Sequence, residues 1–159
     1  MDGPVTFGGM QVIGFAFPGS DLRRELVDLV LAGTKTATAG LAVELALDGE
    51  TMPTPGFREA VVDAEDRIVG VIETTECRVV RIADVDDEFA REEGEGFADA
   101  ADWRLAHERF WGRYLGELRD RLGDPTFSLT DDTGIICQRF RLVERYPEPI
   151  PVNGGASPA

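Results

Sequence analysis

The segment from Ile68 to Arg81 restricts the possible folds more than any other part of this sequence. Its first half is apolar in both alternating positions, with Ile68 and Ile72 in one set and Val69 and Val71 in the other. Successive side chains of a strand point to opposite faces, so a strand with this pattern is covered on both sides. The segment therefore predicts a strand in a small sheet or barrel against which helices pack.

Helical and extended patterns are interleaved along the chain, without a long run of β-α-β units. In the first helix Ser20 is a suitable N-cap and Gly33 a suitable stop, with leucines at helical spacing between them. No Gly-x-Gly-x-x-Gly follows a strand and no P-loop motif occurs, so dinucleotide and P-loop phosphate binding have no support. Strands are predicted over residues 57–63, 68–81 and 135–146, and a short strand or an entry segment over 12–17. Further helices are predicted over 41–47, 84–93 (with Asp84 as its cap) and 99–122.

The length of 159 residues suits one domain that needs no disulfide or metal for stability. We predict a loose Gly-rich segment over residues 1–11, one domain over 12–146, and a disordered tail rich in Pro, Gly, Ser and Ala over 147–159. No apolar run approaches the roughly 20 residues of a membrane helix, and the N-terminus has no signal-peptide pattern. We therefore expect a cytoplasmic protein without a membrane partner, in which Cys77 and Cys137 are reduced, buried thiols.

The charge balance limits the partners that this chain can have. Thirty acidic side chains outweigh 16 basic ones and give a formal net charge of −14. Extended contact with nucleic-acid phosphates needs a basic track, so sequence-blind binding to long RNA is disfavoured. A small positive pocket on an acidic body is compatible with this composition. The chain has a single lysine, Lys35, and a single histidine, His107.

Several short polar motifs occur in an order that is typical of one known family. They are Gly-Thr-Lys-Thr-Ala-Thr at 33–38, Val-Ile-Glu-Thr-Thr-Glu at 71–76, Asp-Glu-Phe-Ala-Arg-Glu-Glu-Gly-Glu-Gly at 87–96, Trp103 with His107, and Phe110 with Trp111. Together, from Phe15 to Tyr146, they resemble the signature of the ASCH superfamily. The resemblance implies an α+β fold, a small PUA-like β-barrel with flanking helices, which is the fold of the ASCH domain.

The resemblance also implies an activity. One bacterial branch of the superfamily consists of small amidohydrolases that remove the acetyl group from N4-acetylcytidine. The working residues of that branch fall, position by position, on Lys35, Thr38 and Glu93 of this chain. An arginine that the branch carries two residues after the threonine is replaced here by Gly40. We predict a hydrolase of this kind that acts on an acylated nucleoside or a similar small molecule and uses no metal or other cofactor.

These three residue types can carry out amide hydrolysis, which needs a nucleophile, a group that manages its proton and a donor for the developing oxyanion. Thr38 can supply a hydroxyl. Lys35 can act as a base if it is neutral, which requires desolvation or a cationic neighbour, or as a fixed cation that stabilises negative charge. Glu93 can take the proton or hold Lys35 in place.

Five further residues are candidates for substrate binding: Glu73, Glu95, Trp103, His107 and Arg58. Trp103 and His107 lie four positions apart and share a helix face, so they can stack on a base; as core residues they would pack on the sheet and bond a carbonyl. Glu73 can line the mouth of the barrel or form a solvated edge pair. Glu95 can rim the pocket or be a solvated loop acid, and Arg58 can contact a phosphate or be an ordinary surface arginine.

The expected partner is a small nucleoside or nucleotide. The competing interpretation is a module that binds an RNA base or a nucleotide without amidase chemistry, or an RNA-cleaving relative. A third interpretation is an adaptor that binds a partner through its acidic surface. The sequence leaves the oligomeric state open.

Overall fold

The computed structural model describes residues 6–152, in which one mixed sheet packs against helices. The strands are β1 (Thr6–Phe7), β2 (Met10–Ile13), β3 (Ala37–Leu41), β4 (Arg58–Val62), β5 (Arg67–Arg81) and β6 (Gly134–Pro151). The helices are α1 (Asp21–Leu31), α2 (Ala42–Leu47), α3 (Asp87–Glu92), α4 (Ala100–Gly112) and α5 (Leu115–Leu122), with a 3-10 turn at Ile82–Asp84.

The strands lie in the order β1-β2-β4-β5-β6-β3. Strand β5 pairs antiparallel with β4 and β6, and β2 pairs in parallel with β4. Within residues 6–152, β1 and β3 are the two edges of an open sheet, so the closed barrel that the resemblance implied is not confirmed. The combination of a mixed sheet with packed helices agrees with the predicted α+β class.

Strand β5 is covered on both faces where its sequence is apolar in both alternating positions. Ile68 belongs to an apolar cluster with Phe7 and Val62, whereas its neighbour Val69 belongs to a second cluster with Val27 and Val30 of α1. The alternation of side chains across the strand accounts for this division. Packing of α1 on the sheet fixes where the segment that follows this helix must lie.

Helix α1 has the cap and the stop that the sequence predicts. The Ser20 side chain accepts a hydrogen bond from the Arg23 backbone N–H. Gly33 has a positive φ of 78°, a conformation that glycine adopts at low cost, and the next two backbone N–H groups both donate to the Leu29 carbonyl. This turn delivers Lys35 to the start of β3.

The prediction that Asp84 caps the third helix is wrong. Residues 82–84 form the 3-10 turn, in which Asp84 pairs with Arg81. The cap is Asp86, whose side chain accepts from the Phe89 backbone N–H. The cap of this helix therefore lies two residues later than predicted.

The single helix predicted over 99–122 is two helices. The break falls at Tyr114, whose φ of −125° and ψ of 23° are not helical. Trp111 of α4 and Leu118 of α5 nevertheless belong to the same apolar cluster. The apolar spacing persists across the break because both helices bury side chains in one core, so the spacing alone did not reveal it.

The sheet includes residues near both ends of the described chain that the sequence analysis predicted to lie outside the domain. Strands β1 and β2 pair across a turn, so residues 6–11 do not form the loose segment predicted. Strand β6 continues to Pro151, and Ile150 pairs with Ile68, so residues 147–151 belong to the sheet rather than to a disordered tail. The remaining parts of these two predictions, residues 1–5 and 153–159, lie outside the described residues.

The short strand or entry segment predicted over 12–17 is part of a strand only at its start. Strand β2 ends at Ile13, and Ala16 has a positive φ of 61°, which is incompatible with extended backbone. Across the described part of the chain, no helix is both long and apolar enough to cross a membrane. Cys77 and Cys137 are free thiols, of which Cys137 is buried and Cys77 only partly so, and burial raises their pKa to about 11 and about 12.

Candidate active site

A cavity of about 860 Å³ is lined by Lys35, Thr38 and Glu93, the three residues for which the sequence predicts catalytic roles. Lys35 comes from the turn after α1, Thr38 from β3, and Glu93 from the end of α3. The structure thus places side chains from three separate segments at one concave site. The volume falls within the range of about 300–1,000 Å³ that is typical of pockets for small molecules.

Lys35 is buried with two carboxylates beside its amine, and its side chain is only 1% exposed. Its Nζ lies 2.7 Å from Glu95 Oε2, 3.3 Å from Glu93 Oε1 and 3.3 Å from the Glu93 carbonyl oxygen. An amine has three N–H donors when it is charged, and here each has an acceptor. Neighbouring carboxylates favour the charged form, so these contacts describe an ammonium rather than a neutral base.

Glu93 accepts hydrogen bonds from two aromatic residues as well as from Lys35. The Trp103 indole N–H donates to Glu93 Oε2, and His107 Nε2 lies 3.2 Å from the same oxygen. The other ring nitrogen of His107, Nδ1, lies 2.9 Å from the Trp103 carbonyl oxygen. Both nitrogens of His107 therefore face acceptors, which an imidazole satisfies only when both carry a proton.

We call the four ionisable side chains of this site, Lys35, Glu93, Glu95 and His107, the Lys35 cluster. With both basic groups protonated and both carboxylates ionised, its formal charge is zero. Such a balance is what makes the burial of charged groups tolerable, because isolated buried charges are strongly disfavoured. The Lys35 cluster is therefore a closed set of ion pairs at the wall of the cavity.

The pKa values of the two carboxylates of the Lys35 cluster are shifted in opposite directions. Burial opposes the ionisation of Glu93, but the charge of Lys35 and the hydrogen bonds from His107 and Trp103 outweigh it and lower its pKa. For Glu95, burial and the charge of Glu93 prevail over the attraction of Lys35 and raise the pKa. Glu95 also keeps 18% of its side chain exposed, against 1% for Glu93. Glu95 is thus the carboxylate better suited to exchange a proton with a ligand.

A close contact between two backbone segments builds this cluster. Thr36 donates to the Glu92 carbonyl through both its backbone N–H and its hydroxyl. Gly94 has a positive φ of 70°, and a Cβ at this position would lie 2.3 Å from the Thr34 carbonyl oxygen and 2.8 Å from Lys35 Cα. Glycine is therefore required for the loop to lie against the Lys35 segment.

Thr38 lies on β3 opposite Gln138 of β6 and is partly buried. Among the hydrogen bonds of residues 6–152, none involves its hydroxyl, so this group is free to contact a ligand. Gly40 lies two residues along the strand and therefore shares the face of Thr38. It also lines the cavity, and a Cβ built there would meet no atom within 4 Å.

The remaining predicted binding residues divide into two groups. Glu95 and His107 line the cavity as members of the Lys35 cluster. Arg58 and Glu73 lie across from each other on neighbouring strands and form an ion pair with an N–O distance of 3.2 Å, away from the cavity. Arg58 is thus a surface arginine, whereas Glu73 lies on the inner strand β5 and pairs with Arg58 and Arg141, so it is not part of an edge pair.

Trp103 also has the alternative role that the sequence allowed. Its side chain is fully buried, and its ring stacks on His107 with 4.3 Å between the ring centroids. It does not line the cavity, so stacking on a substrate base is not supported. Its function in the site is to orient Glu93 through the indole N–H.

Sequence reasoning missed Arg23, a buried cation that lines the cavity. Its Nε donates to the Phe15 carbonyl at 3.0 Å and its Nη2 to the Ala16 carbonyl at 2.8 Å. Burial lowers its pKa, although the charges of Asp66 and Asp63 act against this. The signal was present in the sequence, because Arg23 occupies the same helical stripe as Leu26, Val27 and Val30.

A second missed group forms a polar patch of the cavity wall. Glu59, which is 3% exposed, accepts hydrogen bonds from the side-chain amides of Gln138 at 2.7 Å and Gln11 at 3.4 Å. Burial raises its pKa, although both amide hydrogen bonds act in the opposite direction. No cation is paired with this carboxylate in the described part of the chain. Its burial on strand β4 depends on tertiary packing that local sequence patterns do not report.

Aromatic residues at the cavity were also not predicted as site residues. Phe17, which is 38% exposed, stacks on Phe110 with 5.0 Å between ring centroids and meets the edge of Tyr114 at 5.5 Å. All three line the cavity. We call this group the aromatic rim. Within residues 6–152, no group of three or more His, Cys, Asp or Glu side chains is arranged to hold a metal ion.

Comparison with known proteins places this geometry in a family context. The model of the ASCH domain family matches residues 14–144. A crystal structure of an ASCH domain from Lactobacillus crispatus is 27% identical, covers 84% of this chain and 79% of its own, and has a TM-score of 0.70. The protein EF3133 from Enterococcus faecalis, described with the family model DUF984, is 25% identical, with 84% and 76% coverage and a TM-score of 0.70. Comparison with curated proteins gives no match.

Proposed function

This chain belongs to the ASCH domain family, and from that premise we propose that it hydrolyses the acyl amide of an N4-acylated cytidine or a closely similar nucleoside. One observation carries the proposal: Lys35, Thr38 and Glu93 come from three segments and line one cavity of about 860 Å³. These are the positions on which the working residues of the N4-acetylcytidine amidohydrolases fall. The free hydroxyl of Thr38 supports the same function.

In this proposal Lys35 is a fixed cation and not a base. Its neighbours are carboxylates, which favour the ammonium. All three of its N–H donors are engaged, so one must be released before it can stabilise an oxyanion. Glu95 is the partner that can release it, because Glu95 is partly exposed and its pKa is raised.

The proposed reaction has two steps. The Thr38 hydroxyl attacks the acyl carbon while Glu95 takes the hydroxyl proton, and the developing oxyanion receives a hydrogen bond from Lys35. The C–N bond then breaks, the proton passes from Glu95 to the leaving N4 amine, and an acyl ester forms on Thr38. Water hydrolyses that ester to release the carboxylic acid and restore the hydroxyl. Glu93 takes no part in proton transfer and holds Lys35 in place, together with Trp103 and His107.

The experiment that tests this function uses a panel of N4-acylated cytidines with acetyl, propionyl and benzoyl groups. We expect native protein to release cytidine from at least one of them, as measured by chromatography. Lys35→Ala and Glu93→Ala should each lower kcat by about 10²- to 10⁴-fold. Exposed Glu148→Gln serves as the control and should leave kcat unchanged.

Two results would contradict the proposal. Turnover that survives both Lys35→Ala and Glu93→Ala would remove the mechanism. Saturable binding of cytidine without turnover of any panel member would indicate a binding module instead. Such a module would bind cytidine through the same cavity and the aromatic rim. Cytidine binding by itself therefore does not distinguish a hydrolase from a binding module.

A further inference from the structure

The cavity contains positive charge that neither the Lys35 cluster nor the proposed reaction uses. Arg23, Arg109 and Arg113 all line it. Among the ion pairs of the described residues, none includes these three arginines, although the charges of Asp66 and Asp63 act on Arg23. Carboxylates also line this cavity, so an anion would be held by direct hydrogen bonds to a guanidinium and not by the overall charge of the wall.

Arg23 is the built part of this site, because its side chain is 94% removed from solvent and still has donors to spare. A guanidinium has five N–H donors, and the carbonyls of Phe15 and Ala16 occupy one on Nε and one on Nη2. Nη1 makes no hydrogen bond. Since every fully buried side-chain nitrogen in the described residues has a partner, Nη1 must retain accessible surface.

The backbone is shaped to receive this guanidinium. A Cβ on Gly14 would lie 2.5 Å from Arg23 Nη2 and 2.9 Å from its Cζ. The two carbonyl hydrogen bonds then fix the plane of the guanidinium against the chain. Such a preorganised planar group suits a phosphate or carboxylate better than a flexible ammonium does.

The same short segment connects Arg23 to both other parts of the site. The ring of Phe15 lies 5.8 Å from Lys35 Nζ, while its carbonyl accepts from Arg23. The next residue but one, Phe17, stacks on Phe110, which lies between Arg109 and Arg113 in the chain. The Lys35 cluster, the guanidinium of Arg23 and the aromatic rim are therefore successive parts of one cavity wall.

We propose that this cavity binds a mononucleotide, with the phosphate on Arg23 and further attraction from Arg109 and Arg113. The inference rests on the proposed function for the identity of the base and extends it: the preferred substrate is the 5′-phosphate of the acylated cytidine rather than the free nucleoside. A buried guanidinium with unused N–H donors suits one phosphate group. A long RNA would instead need a basic track, which this acidic chain lacks.

The test compares the binding of cytidine 5′-monophosphate and cytidine by isothermal titration calorimetry. We expect native protein to bind the monophosphate about 10- to 100-fold more tightly, the usual range for a hydrogen-bonded ion pair. Arg23→Gln should reduce that preference to the roughly two- to fivefold share of Arg109 and Arg113, and leave the affinity for cytidine in place. Arg24→Gln is the matched control, because it removes the same charge from the next position of α1 and Arg24 does not line the cavity.

Arg23 also donates hydrogen bonds to two backbone carbonyls, so its replacement affects folding near α1 as well as anion binding. A second variant separates the two effects. Arg109 and Arg113 are exposed, and the double variant Arg109→Gln with Arg113→Gln should retain the native melting temperature. It should lower the preference for the monophosphate by about two- to fivefold, as expected for exposed charges.

Three outcomes would overturn the inference. They are equal binding of cytidine and its monophosphate by native protein, a preference that stays at its native value in both variants, and tighter, more salt-sensitive binding of a short oligocytidylate than of the monophosphate. The inference and the proposed function fail separately. A preference for the monophosphate without any hydrolysis removes only the function, and equal kcat/KM for acylated cytidine and its 5′-phosphate removes only the inference.

Discussion

His107 reports the charge state of the Lys35 cluster, and it can be observed without ambiguity because the chain has one histidine. Burial opposes its protonation, but the hydrogen bond and charge of Glu93 outweigh burial and raise its pKa above the ordinary 6.5. We predict that nitrogen NMR at pH 6.5 finds the ring mostly protonated. Glu93→Gln should lower the pKa of His107, and Glu95→Gln should lower it less. A ring that is mostly neutral at pH 6.5 would contradict the ion-pair arrangement.

Gly40 is the position at which the amidohydrolase branch that the sequence resembles carries an arginine. It lines the cavity, shares the face of Thr38, and has open space where a Cβ would stand. We predict that Gly40→Arg folds normally, with a change in unfolding free energy below about 1 kcal/mol. It should lower KM for N4-acetylcytidine by about 10-fold through an added hydrogen bond to the substrate. Gly40→Ala is the control, and an arginine variant with no gain over it would show that the site does not use this position.

For single residues, the prediction of Lys35, Thr38 and Glu93 came from a family resemblance and not from their spacing in the sequence. Lys35 and Glu93 are 58 positions apart, and no local pattern indicates that their side chains meet. Arg23 was missed for a different reason. Arginine is rarely buried, so its place on the apolar stripe of α1 does not by itself indicate burial. What makes room for it is the absence of a side chain on Gly14, in a different segment.

Among the elements, the loop after α3 determines whether the site forms. Gly94 and Gly96 both have positive φ, at 70° and 94°, but only a Cβ on Gly94 would collide with the Lys35 segment. Gly96→Ala should therefore destabilise by about 1 kcal/mol, the cost of its backbone conformation alone. Gly94→Ala should cost about 1–3 kcal/mol more because the loop must also move.

Chemical denaturation measures both free energies of unfolding, and Gly96→Ala supplies the matched reference. Displacement of the loop should also separate Glu93 and Glu95 from Lys35. We therefore expect activity and ligand binding to fall in Gly94→Ala and to persist in Gly96→Ala. Similar values for the two variants would show that close contact between the loop and the Lys35 segment is not required.

Element boundaries show where sequence reasoning succeeded and where it could not. The cap at Ser20 and the stop at Gly33 depend on local chemistry, and the structure confirms both. The break between α4 and α5 was missed because apolar spacing reports which face is buried and not whether the backbone hydrogen bonds continue. The strand ending at Pro151 was missed because its partner, the start of β5, lies about 80 residues earlier in the chain.

For the molecule as a whole, buried carboxylates should make stability depend on pH. Burial and the neighbouring carboxylates of Asp48 and Glu59 raise the pKa of Glu50 from 4.5 to about 7. The pKa values of Glu95 and Glu59 are raised as well, with burial the main cause in each case. The native state then binds more protons than the unfolded state between pH 4.5 and 7, so the free energy of unfolding should fall as pH rises through this window.

Two members of the Lys35 cluster act at the ends of this window: Glu93 opposes the trend at low pH, and His107 adds to it at higher pH. The lowered pKa of Glu93 stabilises the fold above 4.5, and this contribution is lost only as pH falls through its native value. The raised pKa of His107 stabilises the fold below 6.5, and this contribution is lost as pH rises through its native value. We therefore predict maximal stability near pH 5, a value set by these windows.

Denaturant titrations between pH 5 and 8 check this prediction. Glu50→Gln should flatten the decline, because it removes the carboxylate whose pKa is raised to about 7. Exposed Glu148→Gln should leave the slope unchanged. Stability that rises from pH 5 to 8 would contradict the account of the buried carboxylates.

The measurement that bears most directly on the site is a double-mutant cycle on kcat for N4-acetylcytidine, with Lys35→Met, Thr38→Val and the combination. Both substitutions keep the size of the side chain and remove the reacting group. If the ammonium and the hydroxyl act on one acyl group, the combined variant should be no slower than the slower single variant, because groups that act as a unit are not additive. Losses that multiply, or single variants that keep native kcat, would contradict joint action in one cavity.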